Sequence, residues 1–268
     1  MNILGPGLGF LPISLGVLAT ATFVSTYIIS VVRNDVEVFF PYISDTGTNA
    51  PESCIFGQFL NLSAFLSLAT MYVRYKLVKG FISDEYRGID ILNKVAAGFG
   101  ILTSLGLSMV ANFQETKVEV VHFLGAGLVF GGGVVYSLLH CAISYKMYPQ
   151  FNGVYICRWR LALSLFSLIS MVVTFIAASI SRVEWNAMPD HPDSRVHWKP
   201  TDWGYAPHVV STIAEWCMSI AFLLYFFTYI RDFQKVDLGI VVHLQVSHLD
   251  EEPVNIRRSP DETTQLLI

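Results

Sequence analysis

The chain has 268 residues, of which 53% are hydrophobic and only 14% charged, with a mean hydropathy of +0.51. That balance excludes a soluble one- or two-domain protein and marks a polytopic membrane protein. A formal net charge of -4 gives no hold on nucleic acid, and four scattered cysteines (Cys54, Cys141, Cys157, Cys217) exclude a disulfide framework or a CxxC zinc site.

The first apolar stretch covers residues 7–32. It has no basic leader and no small-x-small cleavage pattern, and its apolar run is too long for a signal peptide, so it is read as a retained spanning helix. After it comes Pro41-Tyr42-Ile43-Ser44-Asp45-Thr46-Gly47-Thr48, a helix-stopping proline, an aromatic, a carboxylate, three hydroxyls and a turn glycine side by side. Five further stretches follow at 54–73, 95–114, 120–145, 161–181 and 207–230. All six lack Asp, Glu, Lys and Arg except for Glu215 in the last. About 20 residues at roughly 1.5 Å per residue cross a hydrocarbon core of about 30 Å. Backbone groups in lipid must be satisfied within the segment, so the expected fold is an all-α, six-helix transmembrane bundle over residues 1–235.

The loops after the second and fourth helices, together with the tail, carry twelve of the seventeen lysines and arginines. The positive-inside rule therefore places both termini in the cytosol, and 41–48 and the loop of roughly 182–206 on the luminal side. Residues 236–268 read as a disordered, partly acidic cytosolic tail, with Asp250-Glu251-Glu252 within it.

Small residues explain part of the intramembrane polarity. Gly127 and Gly131 form a GxxxG, and Ser167, Ser170 and Thr174 line one face of the fifth helix, both patterns suited to close helix packing. A second set gathers at one depth near the luminal surface. His208, Ser211 and Glu215 share a face of the sixth helix; Gln58 and Asn61 lie on the second, Ser108 and Asn112 on the third, and His122 begins the fourth. Asp45 lies in the loop above, so four helices are expected to turn polar groups toward one luminal pocket. Glu215 costs roughly 3 kcal/mol or more in hydrocarbon unless it faces the interior, is neutralised or is paired. Glu215, His122 and Asp45 are the candidates for acid, base or ligand, against a purely structural network fixing the helices. A metal site of Asp45, His122 and His208 has no spacing motif behind it, and no cofactor-binding or familiar hydrolase motif is present.

On the cytosolic side, Arg74, Lys76, Arg158 and Arg160 sit among aromatics, as interfacial anchors or as a site for anionic lipid headgroups. Cys157 beside Arg158 and Arg160 is either an acylation site or an unmodified interfacial thiol.

Five segments carry a family likeness: residues 41–48, Ala69-Thr70-Met71-Tyr72-Val73-Arg74-Tyr75-Lys76, Val110-Ala111-Asn112-Phe113-Gln114-Glu115, Ala214-Glu215-Trp216 and Tyr229-Ile230-Arg231-Asp232-Phe233-Gln234-Lys235. Together they resemble the DRAM proteins, the damage-regulated autophagy modulators, from about Phe10 to Lys235. His197-Trp198-Lys199-Pro200 and the terminal leucine pair look more like the second vertebrate member than the first. The resemblance implies six spans, residence in lysosomal and late endosomal membranes, and promotion of autophagy and stress-linked cell death. It implies no catalytic residues. A distantly similar branch touches lipid metabolism, which makes a lipid headgroup a reasonable occupant of the luminal pocket.

In the tail, Glu262 stands four residues before Leu266-Leu267, the pattern read by clathrin adaptors that sort membrane proteins to endosomes and lysosomes. Three functions compete: a non-enzymatic autophagy modulator acting through lipid or protein contacts, an intramembrane lipid-modifying enzyme, and a proton-linked transporter. The last has only one intramembrane carboxylate and no broken-helix pair to support it.

Overall fold

A computed structural model describes residues 7–82, 87–189 and 195–236. Six helices are long and apolar enough to cross a membrane: α1 (Phe10–Val32), α2 (Glu52–Phe81), α3 (Arg87–Asn112), α4 (Glu119–Lys146), α5 (Val154–Ala187) and α6 (Tyr205–Phe227). A short α7 (Ile230–Phe233) follows α6, one 3₁₀ turn spans Asp45–Gly47, and no strand occurs among the described residues. The tail beyond 236, with Glu262, Leu266 and Leu267, lies outside the described residues.

α2, α4 and α5 outrun at both ends the uncharged stretches that announce them, while α1 begins and α3 and α6 end inside theirs. α2 continues through Arg74, Lys76 and Lys79, and α5 begins before Arg158 and Arg160 and continues past Arg182. Helix hydrogen bonds do not require apolar side chains, and long cationic chains at the ends reach polar surroundings or find partners inside. Windows that stop at the first charge therefore cut the helices short.

Helices adjacent in sequence are adjacent in space, and α1 closes back on α6 through a sparser seam. At that seam Gly16 admits Phe227: a Cβ on Gly16 would sit 2.2 Å from the phenylalanine ring. α5 runs along α6 and against α4, with Ser164, Ser167, Ser170, Thr174 and Ser181 all buried, as small residues at a helix seam require.

The expected GxxxG contact is corrected. A Cβ on Gly127 or Gly131 would meet nothing within 4 Å. The close approach is made instead by Gly106 and Gly125 between α3 and α4, where a Cβ on Gly125 would lie 2.8 Å from the Met109 Cβ and 3.0 Å from the Gly106 carbonyl. The spacing of four exists in the sequence, but its phase on α4 points away from α3. Gly132 and Gly133 complete the packed side, against Thr103 and Phe222.

Candidate functional site: a plugged end and an interior slot

Residues 41–48 are folded into one end of the bundle, called here the plug end; Ile43, Ser44, Asp45, Thr46 and Thr48 are all buried. A polar loop in that position must satisfy its own backbone and hydroxyl groups. It does so partly within itself: Thr46 Oγ1 donates to the Ile43 carbonyl at 2.7 Å, and Thr48 Oγ1 to that of Asp45 at 2.9 Å. The helices supply the rest. The Ile43 N–H donates to Glu215 Oε2 at 2.8 Å, Ser44 Oγ to Glu115 Oε2 at 2.8 Å, and Trp216 Nε1 to the Pro41 carbonyl at 2.9 Å. The Thr26 and Thr46 hydroxyls pair at 3.0 Å, and the Tyr42 hydroxyl pairs with that of Ser211. Gly47 lies against Phe56, where a Cβ would come within 2.4 Å of the ring. The segment is a plug held to α1, α2 and α6 and to the α3–α4 turn.

Beneath the plug, a narrow cavity of about 120 Å³ runs down the inside of the bundle. Along α2 its wall is Phe56, Leu60, Ser63, Ser67 and Met71, one helix face; along α4 it runs from His122 to Ser137. Each wall covers fifteen residues of rise, about 22 Å at roughly 1.5 Å per residue. α5 contributes nothing to it. Several hydroxyls along the walls are spent locally, Ser63 on the Phe59 carbonyl at 2.9 Å, Thr103 on that of Phe99 at 2.8 Å and Ser137 on that of Val134 at 2.9 Å, while the buried Tyr136 hydroxyl has no hydrogen-bond partner among the described residues.

Under the plug the slot's lining includes Ser44, His122 and Glu215. Glu215 is 7% exposed and has no ion-pair partner among the described residues; only the Ile43 N–H is bound to it. His122 Nδ1 sits 2.7 Å from the Phe113 carbonyl, an acceptor, which puts a proton on Nδ1. Its Nε2 faces Glu115 at 3.9 Å, beyond hydrogen-bond reach.

Outside the plug lies a second cavity of about 230 Å³, bordered by Glu37, Pro41, Asp45, Trp198, Tyr205 and His208. Trp198 stacks on His208 with centroids 4.2 Å apart and planes 13° from parallel. Burial drives the Asp45 carboxyl well above the usual range, and the nearby charges of Glu115 and Glu215 push the same way against Arg195. Burial likewise raises the Tyr42 phenol.

The predicted polar set is thus divided. Glu215 and His122 reach the slot, Asp45 and His208 border the outer cavity, and Ser211 holds Tyr42 of the plug between them. Gln58, Asn61, Ser108 and Asn112 line neither cavity. Asn61 and Asn112 exchange amide bonds at 3.0 Å each way, and Ser108 Oγ donates to Asn61 Oδ1 at 2.7 Å, forming a self-satisfied ladder across α2 and α3 with Gln58 and Asn112 exposed. Shared depth does not fix the direction a helix face takes. Glu115, which the sequence places at the luminal rim after the third helix, is drawn in by Ser44. No group of three or more His, Cys, Asp or Glu placed to hold a metal occurs among the described residues.

The opposite, basal end holds the cation candidates. Lys76 and Arg158 are exposed there. Arg74 and Arg160 are fully buried and share Oδ2 of Asp232, at 2.9 and 2.6 Å. Arg160 also donates to Ser144 Oγ at 2.8 Å, to Thr228 Oγ1 at 3.0 Å and to the Thr228 carbonyl at 3.1 Å, while both guanidiniums lie about 5 Å from the Tyr229 ring. Two of the four cations therefore bolt α2, α4, α5 and α7 together. Cys157 is also buried, its thiol 3.4 Å from the Ser144 carbonyl.

Six helices long and apolar enough to span a membrane, five of them lining an interior slot beneath a polar plug, define a multi-pass membrane protein. The chain matches the Frag1/DRAM/Sfk1/Cwh43P N-terminal domain over residues 7–236, and it belongs to that family. It is 40% identical to human "DNA damage-regulated autophagy modulator protein 2" over 97% of this chain and 96% of the relative. It is 42% identical to mouse "DNA damage-regulated autophagy modulator protein 1" over 87% and 94%, and 36% identical to Xenopus laevis "Modulator of macroautophagy TMEM150B-B" over 65% and 77%. No solved structure matches it.

Proposed function

We propose that the protein is a non-enzymatic autophagy modulator of lysosomal and late endosomal membranes, linked to stress-induced cell death, which acts by holding a lipid-like molecule in its interior slot. The slot carries this reading: its walls are mainly apolar, with scattered hydroxyls, and its carboxyl and imidazole groups, Glu215 and His122, stand together at one end, the pattern an amphiphile fits. The names of the relatives support the autophagy role. By charge count the plug faces the lumen and the basal lock the cytosol, where Lys76 and Arg158 remain free to meet anionic headgroups. The Glu262, Leu266 and Leu267 signal addresses the protein through clathrin adaptors.

The enzymatic reading is weaker on geometry. Glu215, His122 and Asp45 are not hydrogen-bonded to one another, and Asp45 lies on the far side of the plug from the slot. General acid–base work needs such groups within reach of one reacting atom. Mass spectrometry of lipids retained by the purified protein tests the proposal: wild type retains a lipid that Ala126→Phe, which fills the slot, releases. Identical lipid content in the two would refute it. For localisation, Leu266→Ala with Leu267→Ala shifts the protein to the cell surface, and unchanged lysosomal residence would remove the sorting claim.

A further inference from the structure

We propose that the slot selects a single-chain amphiphile with a cationic, hydrogen-donating head, a long-chain amine or amino alcohol, whose ammonium pairs with Glu215. The inference rests on the slot reading above and names the ligand class.

The polar end of the slot is rich in acceptors. Glu215 uses one oxygen on the Ile43 N–H and has no other donor among the described residues. His122 commits its Nδ1 proton to the Phe113 carbonyl and turns its Nε2 toward Glu115, 3.9 Å away. Ser44 gives its hydroxyl proton to Glu115 and keeps only lone pairs for a ligand. Behind them stands a further carboxylate, Glu115. The neighbouring cations Arg195 and Arg182 are both bound to Glu119, at 2.7 and 2.9 Å. A phosphate or a fatty-acid carboxylate entering here would meet acceptors and like charge. An ammonium would meet a buried carboxylate lacking a counter-ion, the arrangement in which such a pair is most selective.

The walls restrict the tail. A volume of about 120 Å³ compares with a cavity that takes one benzene ring, about 150 Å³. Spread along walls about 22 Å long, it is narrower than an alkyl chain, so a single chain enters only as the lining yields, and a sterol or a two-chain lipid is excluded. Flexible side chains such as Leu60, Met71 and Phe222 line it and can turn aside as the chain advances.

The test uses the full-length protein in phosphatidylcholine vesicles with three photoreactive, alkyne-tagged probes of equal chain length, ending in an amine, an alcohol or a carboxylate. The amine is expected to label peptides of α2, α4 and α6 more than about tenfold over the carboxylate. Glu215→Gln, which keeps an acceptor for the Ile43 N–H, is expected to abolish that preference, and Ala126→Phe to block all three probes. The wild-type head-group series stands alone should either variant fold poorly. A soluble short-chain amine competing as well as a long-chain one would show that the head alone is recognised and would overturn the amphiphile. Equal labelling by all three probes, or preference for the carboxylate, overturns the cationic head and leaves the slot reading standing. No labelling of slot peptides by any probe overturns both.

Discussion

Replacing Asp232 with asparagine keeps the shape of the basal lock and removes its only carboxylate. Arg74 and Arg160 then remain fully buried with no anion between them. Breaking a buried ion pair by removing one partner costs about 3–5 kcal/mol. The loss falls unevenly. Arg160 keeps Ser144, Asn152 and both oxygens of Thr228, whereas Arg74 keeps one long contact, 3.5 Å to Ser144 Oγ, and its Nε has no partner. A cost of about 4 kcal/mol, at about 3 °C per kcal/mol for a domain of this size, lowers the melting temperature by about 12 °C. Tryptophan-fluorescence melting of the detergent-solubilised protein measures this directly. Adding Arg74→Met to Asp232→Asn should recover more than half of the loss, and Arg160→Met should recover less. A melting temperature within about 2 °C of wild type for Asp232→Asn, or equal rescue by the two second-site changes, would refute the assignment of Asp232 as the shared counter-charge.

Three further outcomes follow from the same geometry. The Asp45 carboxyl is raised in the folded state by burial and by Glu115 and Glu215, so the fold binds a proton that the unfolded chain releases. Its contribution is complete below the ordinary carboxylate value of about 4 and is lost as the pH rises through the folded value. Wild type should therefore melt higher in acid than at neutral pH, Asp45→Asn should shrink that difference, and an unchanged pH profile in the variant would contradict the assignment. Gly125→Val should cost several-fold in folded yield by size-exclusion chromatography, because its Cβ meets Met109 and the Gly106 carbonyl, while Gly127→Ala and Gly131→Ala should be neutral or stabilising by up to about 1 kcal/mol each. Equal damage from all three would reject the helix phase described for α4. Thr46→Val removes the bond to the Ile43 carbonyl and the bridge to Thr26, whose hydroxyl keeps the Thr22 carbonyl at 2.9 Å, a cost of about 0.5–1.5 kcal/mol per bond read by thermal melting; no change would argue that the plug is held elsewhere.

The spans were legible because a bilayer permits few solutions: charge-free runs of sufficient length must be helices. The particular character of 41–48 also showed in its residues, since hydroxyls, a turn glycine and a proline are what a self-satisfying plug needs. Arg74 and Arg160 were not legible as a lock. Their partner, Asp232, lies 158 and 72 residues away, and a cation near a helix end has the same local sequence whether it turns outward or inward. Asn61 and Asn112 mislead for a related reason. They share the depth of Glu215, but small rotations about each helix axis decide whether a polar face meets a slot or a seam. Gly127 and Gly131 satisfy the spacing of a packing motif and miss its phase.

The central claim is that the plugged bundle holds an amphiphile along its axis. The most direct measurement is an experimental structure of the protein embedded in lipid. The account predicts elongated density between α2, α4 and α6, with its polar end beneath Ile43 and within hydrogen-bond distance of Glu215. A slot collapsed onto itself, with Leu60, Phe130 and Phe222 in mutual contact and Glu215 paired to a protein cation, would contradict it.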